Sequence, residues 1–277
     1  MRRTHLAVIG IYLVSSLAGS LASADEISVL SWNVESEGAS PAVISEQLAE
    51  LGQYHLYCFQ EVQIRDAGRY AFAIREAFGQ HFRYITTNTG RDDRLMIVYD
   101  TDRFDLIESR ELFIHGEYEL NSWRHRSPLV LVLRDKPSNK AFNLMTVHLA
   151  RGDRQFRREQ ATGLREWAKQ QSRSTVAIGD FNFDYDIRRS RGNPAFDAFT
   201  SGPTWKWIKP AKLVDTNWDD RDRDGKDNYP DSMLDFAFVA GENIEDSVAT
   251  VIIRKGDFPD DQRTSDHRPL EMKFELD

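Results

Sequence analysis

Disulfide bridges are excluded by count. The 277 residues include one cysteine, Cys58, so stability must come from a packed core or from bound ions. Cys58 lies in the apolar run LYCFQ with no cationic neighbour to lower its pKa, and is read as a buried strand residue and not a reactive thiol. An excess of positive charge is also missing: 36 basic residues face 44 acidic ones, a net charge of −8. That balance argues against passive, whole-surface binding to nucleic acid or anionic lipid, but leaves room for a local basic groove. No Gly/Ser-rich or Pro-rich linker divides the chain and no internal repeat is visible, so one domain on the order of 250 residues is expected. Uninterrupted apolar runs of the roughly 20 residues needed to span a membrane are absent too.

The apolar run near the start, LAVIGIYLV, is broken by Ser15, Ser16, Gly19, Ser20 and Ser23. Arg2 and Arg3 precede it and ASA follows at residues 22–24, the pattern of a secretory signal cleaved before Asp25. Residues 1–24 are therefore expected to be a signal peptide and residues 25–277 the mature domain. Their removal takes away two arginines and no acid, moving the charge from −8 to −10. The expected product is exported, periplasmic or extracellular, monomeric, and without stable membrane association.

Among the residues present, about eleven runs have strand length and strand chemistry, from EISVLSWNV through HLYCFQEV, KAFNLMTVHL and STVAIGDF to RPLEMKFEL. Helical spacing is seen at residues 41–52, 66–78 and 153–170, the first opened by Ser40 and Pro41 as cap and first-turn residue. Many strands with few helices predict an α/β, four-layer sandwich: two packed mixed β-sheets flanked by helices.

Polar residues then gather at strand ends. Asn33, Glu61, His148 and Asp180 each close an apolar strand, Asp235 lies in SMLDFAFV, and Asp266 with His267 precedes the last strand. Singly, each has an ordinary structural excuse, such as capping a turn or satisfying a core hydrogen bond. Two histidines, several carboxylates and two amides at the edges of separate strands instead suit a metal-assisted phosphoester hydrolase. That chemistry needs an activated water and neutralised phosphoryl oxygens. Carboxylates such as Glu61 and an amide oxygen such as that of Asn33 suit Mg²⁺ (or Mn²⁺), a hard cation that prefers oxygen ligands. A histidine held by a carboxylate, His267 by Asp235 or Asp266, can accept a proton near neutral pH.

In order and spacing, SWNV, FQEV, TVHL, GDFN, LDFAFVAG and SDHRPL resemble the motif series of the endonuclease/exonuclease/phosphatase superfamily, deoxyribonuclease I-like, over residue 27 to the C-terminus. The resemblance implies that Asn33 and Glu61 bind the catalytic metal, with Asp266 near or on its shell. It implies that His148 contacts the scissile phosphate and that Asp180 with Asn182 positions metal, water and phosphate. Asp235 would pair with His267, the general base or a phosphate contact. Arg126 would face the phosphate, with Arg124 a competing choice. The loop TGRDDR lacks the tyrosine that nuclease relatives carry there, and Asp93 in it is one option for the acid that supports the first catalytic histidine.

Substrate is less legible. Arg151, Arg154, Arg157 and Arg158 follow one catalytic strand; Arg188, Arg189 and Arg191 follow another, after GDFNFDYD. They suit phosphate contacts, with Arg151 and Arg154 as substrate-binding residues, or they are solvated surface. Trp205 and Trp207 alternate with Lys206, which favours burial of both indoles over base stacking. Asp184 and Asp186, beyond the motif, are left to a turn or to contacts with RRSR. In DDRDRDGKDNYPD, Asp220, Asp222, Asp224 and Asp231 follow a calcium-loop register without flanking helices, so the loop either wraps a structural Ca²⁺ or is hydrated and flexible. The leading expectation is an exported Mg²⁺-dependent phosphodiesterase, a DNA-degrading endonuclease with nucleic acid as substrate. Sphingomyelinase or inositol phosphate phosphatase activity is the alternative on the same site, although no apolar hairpin for lipid entry is evident; a catalytically inactive binding protein is the alternative from another class.

Overall fold

The computed structural model describes residues 26–35, 38–121, 125–222, 224–257 and 263–277. The expected signal peptide and Arg124 lie outside the described residues. The first sheet holds β1 (Ile27–Asn33), β2 (Leu56–Val62), β3 (Phe82–Thr86), β4 (Arg94–Asp100), β13 (Ile244–Val251) and β14 (Leu270–Leu276), in the order β13-β14-β1-β2-β4-β3. The second holds β5 (Phe104–Glu111), β8 (Leu129–Asp135), β9 (Ala141–His148), β10 (Thr175–Tyr185), β11 (Lys206–Trp207) and β12 (Met233–Ala240), in the order β11-β12-β10-β9-β8-β5. A two-stranded hairpin, β6 (Ile114–His115) with β7 (Tyr118–Glu119), stands apart. Both large sheets are mixed, as expected.

Period-two alternation serves two cores at once, which is why the strands read as nearly continuous apolar runs. Ile27 and Val29 of β1 face the space between the sheets, where they join Cys58, Ile97, Leu131, Leu144, Val176 and Ile178. Leu30 and Trp32 face outward under α1 (Pro41–Glu50) and α2 (Ile64–Phe78), packing with Ile44, Leu48, Tyr70 and Ile74. On the other side, α3 (Arg154–Lys169) and α4 (Pro194–Thr200) cover Met145, Ala177, Phe181, Phe183, Phe236 and Phe238 with Leu164, Trp167 and Phe199. The layers therefore run helix, sheet, sheet, helix. Helix α4 was missed from sequence, although Asn193 caps it and Pro194 opens it, because seven residues are too short for a periodic signal. Phe113 and Ile114, exposed at the start of the small hairpin, are an apolar pair that sequence patterning also overlooked.

Topology puts the polar strand ends at one edge. In the parallel pairs β1–β2 and β9–β10 the carboxyl ends coincide, and β14 and β12 run antiparallel to them, so their amino ends arrive at the same place. Asp180 is thus in register with His148 on one side and Asp235 on the other. Beyond Asp180 the alternation of GDFNFDYD drives Phe181 and Phe183 into the outer core. Phe183 packs among Phe196, Phe199 and Phe236 at 5.5–5.7 Å between centroids. Trp205 stacks on Phe199 at 4.9 Å and Trp207 lies against Tyr185, so both indoles serve packing, while Lys206 and Lys209 are exposed. Truncation of this aromatic cluster by Phe183→Ala should cost about 3–5 kcal/mol in urea unfolding, whereas Lys206→Ala should change the midpoint little.

Candidate active site

Three side chains, from β1, from β9 and from the loop before β14, converge on a single carboxylate oxygen of β10. Around Asp180 Oδ2 lie Asn33 Nδ2 at 3.2 Å, His148 Nε2 at 3.2 Å and His267 Nε2 at 3.8 Å. Asn33 also donates to Glu61 Oε1 at 3.0 Å, and that oxygen is 3.7 Å from His148 Nε2. Asp235 Oδ2 lies within hydrogen-bond distance of His267 Nδ1, at 2.8 Å. Asp266 stands on the far side, 3.9 Å from His267 Nε2. Glu61, His148 and Asp180 form a group of potential ligand atoms within 4.8 Å of one another.

Unusual backbone geometry aims these groups. Glu61 adopts φ +56° where β2 loses register with β4 between Phe59 and Val62, so its side chain departs from strand alternation and reaches the site. Asn182 (φ +52°) and Asp184 (φ +44°) are also left-handed, within the irregularity between Asp180 and Tyr185. Such conformations cost about 1–3 kcal/mol each outside glycine, and persist only where surrounding structure imposes them. At Asn182 the constraint is visible: its N–H donates to Asp180 Oδ1 at 2.9 Å and its side-chain amide to Leu149 O at 3.0 Å. Gly179 is required next door, since a Cβ there would sit 2.4 Å from Val147 O.

Sequence reading missed three supports. Glu35, also left-handed at φ +42°, accepts the Asp266 N–H and gives its own N–H to Asn33 Oδ1. Asn217 donates to Asp266 Oδ2 at 3.2 Å and accepts from Arg151. Gln60 lies beneath Glu61 and donates to Thr146 Oγ1 at 2.8 Å and Ser31 Oγ at 3.2 Å, bridging the two sheets. Glu35 directly follows SWNV and could have been suspected; Asn217 was hidden beside the aspartate run.

The other expected residues divide. Arg126 is bound to Asp93, and Asp93 Oδ1 lies 3.9 Å from His148 Nδ1, so the pair sits behind that histidine. Arg151 and Arg154 are exposed at the rim, whereas Arg157 is buried and donates to the Ala150 and Arg151 carbonyls. Asp184 pairs with Arg157 and Asn193 and not with RRSR, while Asp186 does engage Arg189. Asp220, Asp222 and Asp224 come together within 4.8 Å, with Tyr229 donating to Asp222 and Lys226 to Asp224. Asp231 is not in that group: it accepts from the Asp219 N–H, because the loop folds back at its end instead of wrapping on.

Electrostatics separates the two histidines. Burial works against a charged His267, but Asp235, Asp266 and Asp180 outweigh it and raise its pKa well above 6.5. Burial, reinforced by Arg126 and His267, presses His148 well below the same value. Among the acids, burial pushes Asp180 up to about 7, with Asp235 and Glu61 adding and His267 opposing. Burial and then Asp266 push Glu35 up to about 8.

A family model described as "Endonuclease/Exonuclease/phosphatase family" matches residues 30–267. No curated protein matches the chain in sequence. Among solved structures, an endonuclease/exonuclease/phosphatase family protein from Bacteroides thetaiotaomicron is 18% identical with a TM-score of 0.67, covering 91% of this chain and 98% of that one. The mannosyl-6-phosphatase of Bacteroides thetaiotaomicron VPI-5482 is 17% identical with a TM-score of 0.62, over 90% and 99%. D. rerio TDP2, complexed with single strand DNA product, is 17% identical with a TM-score of 0.67, over 91% and 99%. These similarities establish the shared sandwich fold.

His267 charged and neutral has a definite linkage sign. Its contribution to stability is complete below the unfolded-chain value near 6.5 and is lost as pH rises through the raised folded value. In metal-free protein, Asp235→Asn should therefore cost about 3–5 kcal/mol near pH 6 and less at alkaline pH, measured by denaturant unfolding. NMR titration should show the His267 pKa falling in that variant.

Proposed function

The chain belongs to the endonuclease/exonuclease/phosphatase family, a family of phosphoric ester hydrolases, and on that premise we propose that it is an exported, metal-dependent phosphodiesterase that cleaves DNA internally. The observation that carries the reading is the convergence of Asn33, His148 and His267 on Asp180 Oδ2, with Glu61 alongside. The arginine-start, apolar, ASA pattern of residues 1–24 supports export to the periplasm or beyond.

The residues fit a hard divalent cation. Glu61 and Asp266 supply carboxylates, and Asn182 Oδ1 is buried with no hydrogen-bond partner among the described residues. Asn33 would contribute its oxygen after a half-turn of its amide, whose nitrogen now faces Glu61 and Asp180. Burial raises Glu35 and Asp180 and neighbouring acids add to it, a local surplus of negative charge that such an ion would relieve. Bound there, Mg²⁺ or Mn²⁺ supplies neutralisation of phosphoryl charge and a more acidic water.

The protein's own groups have distinct tasks. Asp235 fixes His267 with Nε2 directed at the centre, and relief of the local carboxylate surplus returns that imidazole toward the neutral form that accepts a proton from water. His148, kept upright beside Asp93 and Arg126, contacts a phosphoryl oxygen. Asp180 and Asn182 position the attacking water and phosphate. The loop of Asp220, Asp222 and Asp224 takes a structural Ca²⁺ in this reading.

A substrate panel tests it: supercoiled and linear DNA, RNA, sphingomyelin and inositol phosphates, each with Mg²⁺, Mn²⁺ or EDTA. DNA nicking that EDTA abolishes is expected. His148→Ala and His267→Ala should each lose about 10²-fold or more in kcat/KM while remaining folded by circular dichroism; full activity in both overturns the mechanism. Hydrolysis of sphingomyelin alone would redirect attention to exposed Phe113 and Ile114. Calorimetry should detect Ca²⁺ binding that disappears in an Asp220→Asn, Asp222→Asn, Asp224→Asn triple variant, and absence of any Ca²⁺ heat in the parent removes that site.

A further inference from the structure

The fold ties the segment that follows the second arginine cluster to the helix that carries the first. Arg157, buried on α3, reaches Asp184 at 3.4 Å, and the same carboxylate oxygen accepts from Asn193 at 3.0 Å, just ahead of α4. That junction ties Asn193, two residues after Arg191, to the first turn of α3. Arg158 lines a groove of about 450 Å³ between α3 and α4 together with Pro194, three residues after Arg191. Arg154, Arg158 and Arg191 are exposed, and none has a side-chain acid partner among the described residues. Arg151 completes the series at the catalytic rim, where it donates to Asn217, the residue that holds Asp266.

Uncompensated guanidinium groups are unexpected in a chain with eight more acids than bases. Arg165, farther along α3, shows the ordinary alternative, pairing with Glu166 and the Ala198 carbonyl. Arg154 and Arg158 are one helical turn apart, so their side chains are about 6 Å apart along the axis. That is of the order of one phosphate-to-phosphate step in an extended nucleic-acid strand. Arginine forks match phosphate oxygens in pairs. Beyond Asn217 and Trp218, in contrast, the chain enters the aspartate-rich loop, which repels a phosphate backbone.

We propose that a nucleic-acid strand leaves the catalytic centre in one direction only, across Arg151, Arg154, Arg158 and Arg191 at the α3–α4 face, and that this track selects polymers over small phosphoesters. It rests on the phosphodiesterase reading above, and names its substrate class. Four phosphate contacts to a single strand give a log-log salt slope of about −3 for the affinity, and loss of two contacts makes it shallower by about 1.4.

The test compares the parent protein with an Arg158→Ser, Arg191→Ser double variant. Fluorescence anisotropy of a labelled 20-nucleotide single strand, from 50 to 200 mM salt, should show the shallower slope and about tenfold weaker binding at 100 mM in the variant. Turnover in Mg²⁺ should show a matching drop in the preference for that strand over bis(p-nitrophenyl) phosphate. Equal slopes overturn the track, as does an equal loss on both substrates, or binding of heparin with none of the strand. Failure of the parent to hydrolyse either substrate defeats the phosphodiesterase reading instead, and the anisotropy slope still decides the track.

Discussion

The structure turns on one buried oxygen. Asp180 Oδ2 has an amide donor from β1 and imidazole nitrogens from β9 and from the loop before β14 directed at it, in a region almost without solvent. Placing a carboxylate there opposes its charge, and the rest of the site answers that opposition. The two sheets must be held at a separation that lets Asn33 and His148 reach the same atom. Gln60 provides that spacing one level below, hydrogen-bonded to Ser31 of the first sheet and Thr146 of the second. The polar edge where these groups meet therefore depends on sheet-to-sheet packing as much as on any loop.

Separation of the histidines follows from the same geometry. His267 has Asp235 within hydrogen-bond distance and two further acids near, whereas His148 faces Arg126 and has its Nδ1 without a hydrogen-bond partner among the described residues. Two identical side chains are thus shifted in opposite directions within one cleft, one toward carrying positive charge and one toward remaining neutral. Environment assigns the roles, by the rule that neighbouring titratable groups are useful when their pKa values are driven apart.

Much of this was legible in the residues because strand-end chemistry survives in one dimension. The sandwich was visible in continuous apolar strands with few helices, and the site in polar residues closing those strands. What sequence could not show was convergence without periodicity. Asn217 comes from an irregular segment whose neighbours are aspartates, and Glu35 is turned inward by a left-handed backbone that no pattern announces. Arg157 looked like one of four equivalent arginines, yet helical phase buries it under α3 as a tie to Asp184, while its neighbours stay outside. The aspartate loop satisfied a calcium register on paper for four residues, and the chain closes on three.

GDFNFDYD condenses the relation between strain, packing and charge. A regular strand would send Asp180 and Asn182 to one face and Phe181 and Phe183 to the other, and the phenylalanines do occupy the outer core. Left-handed turns at Asn182 and Asp184 then bulge the strand against β12 before it pairs again at Tyr185, so that Asp184 leaves the centre and meets Arg157 instead. The aromatic anchors make that bend affordable: Phe183 alone is in ring contact with five other aromatic side chains. A burial of that size contributes on the order of 2–3 kcal/mol, comparable to the 1–3 kcal/mol of each left-handed residue. The same octapeptide thus fixes the central carboxylate of the site at one end and, through Asp184, ties α3 to the start of α4 at the other.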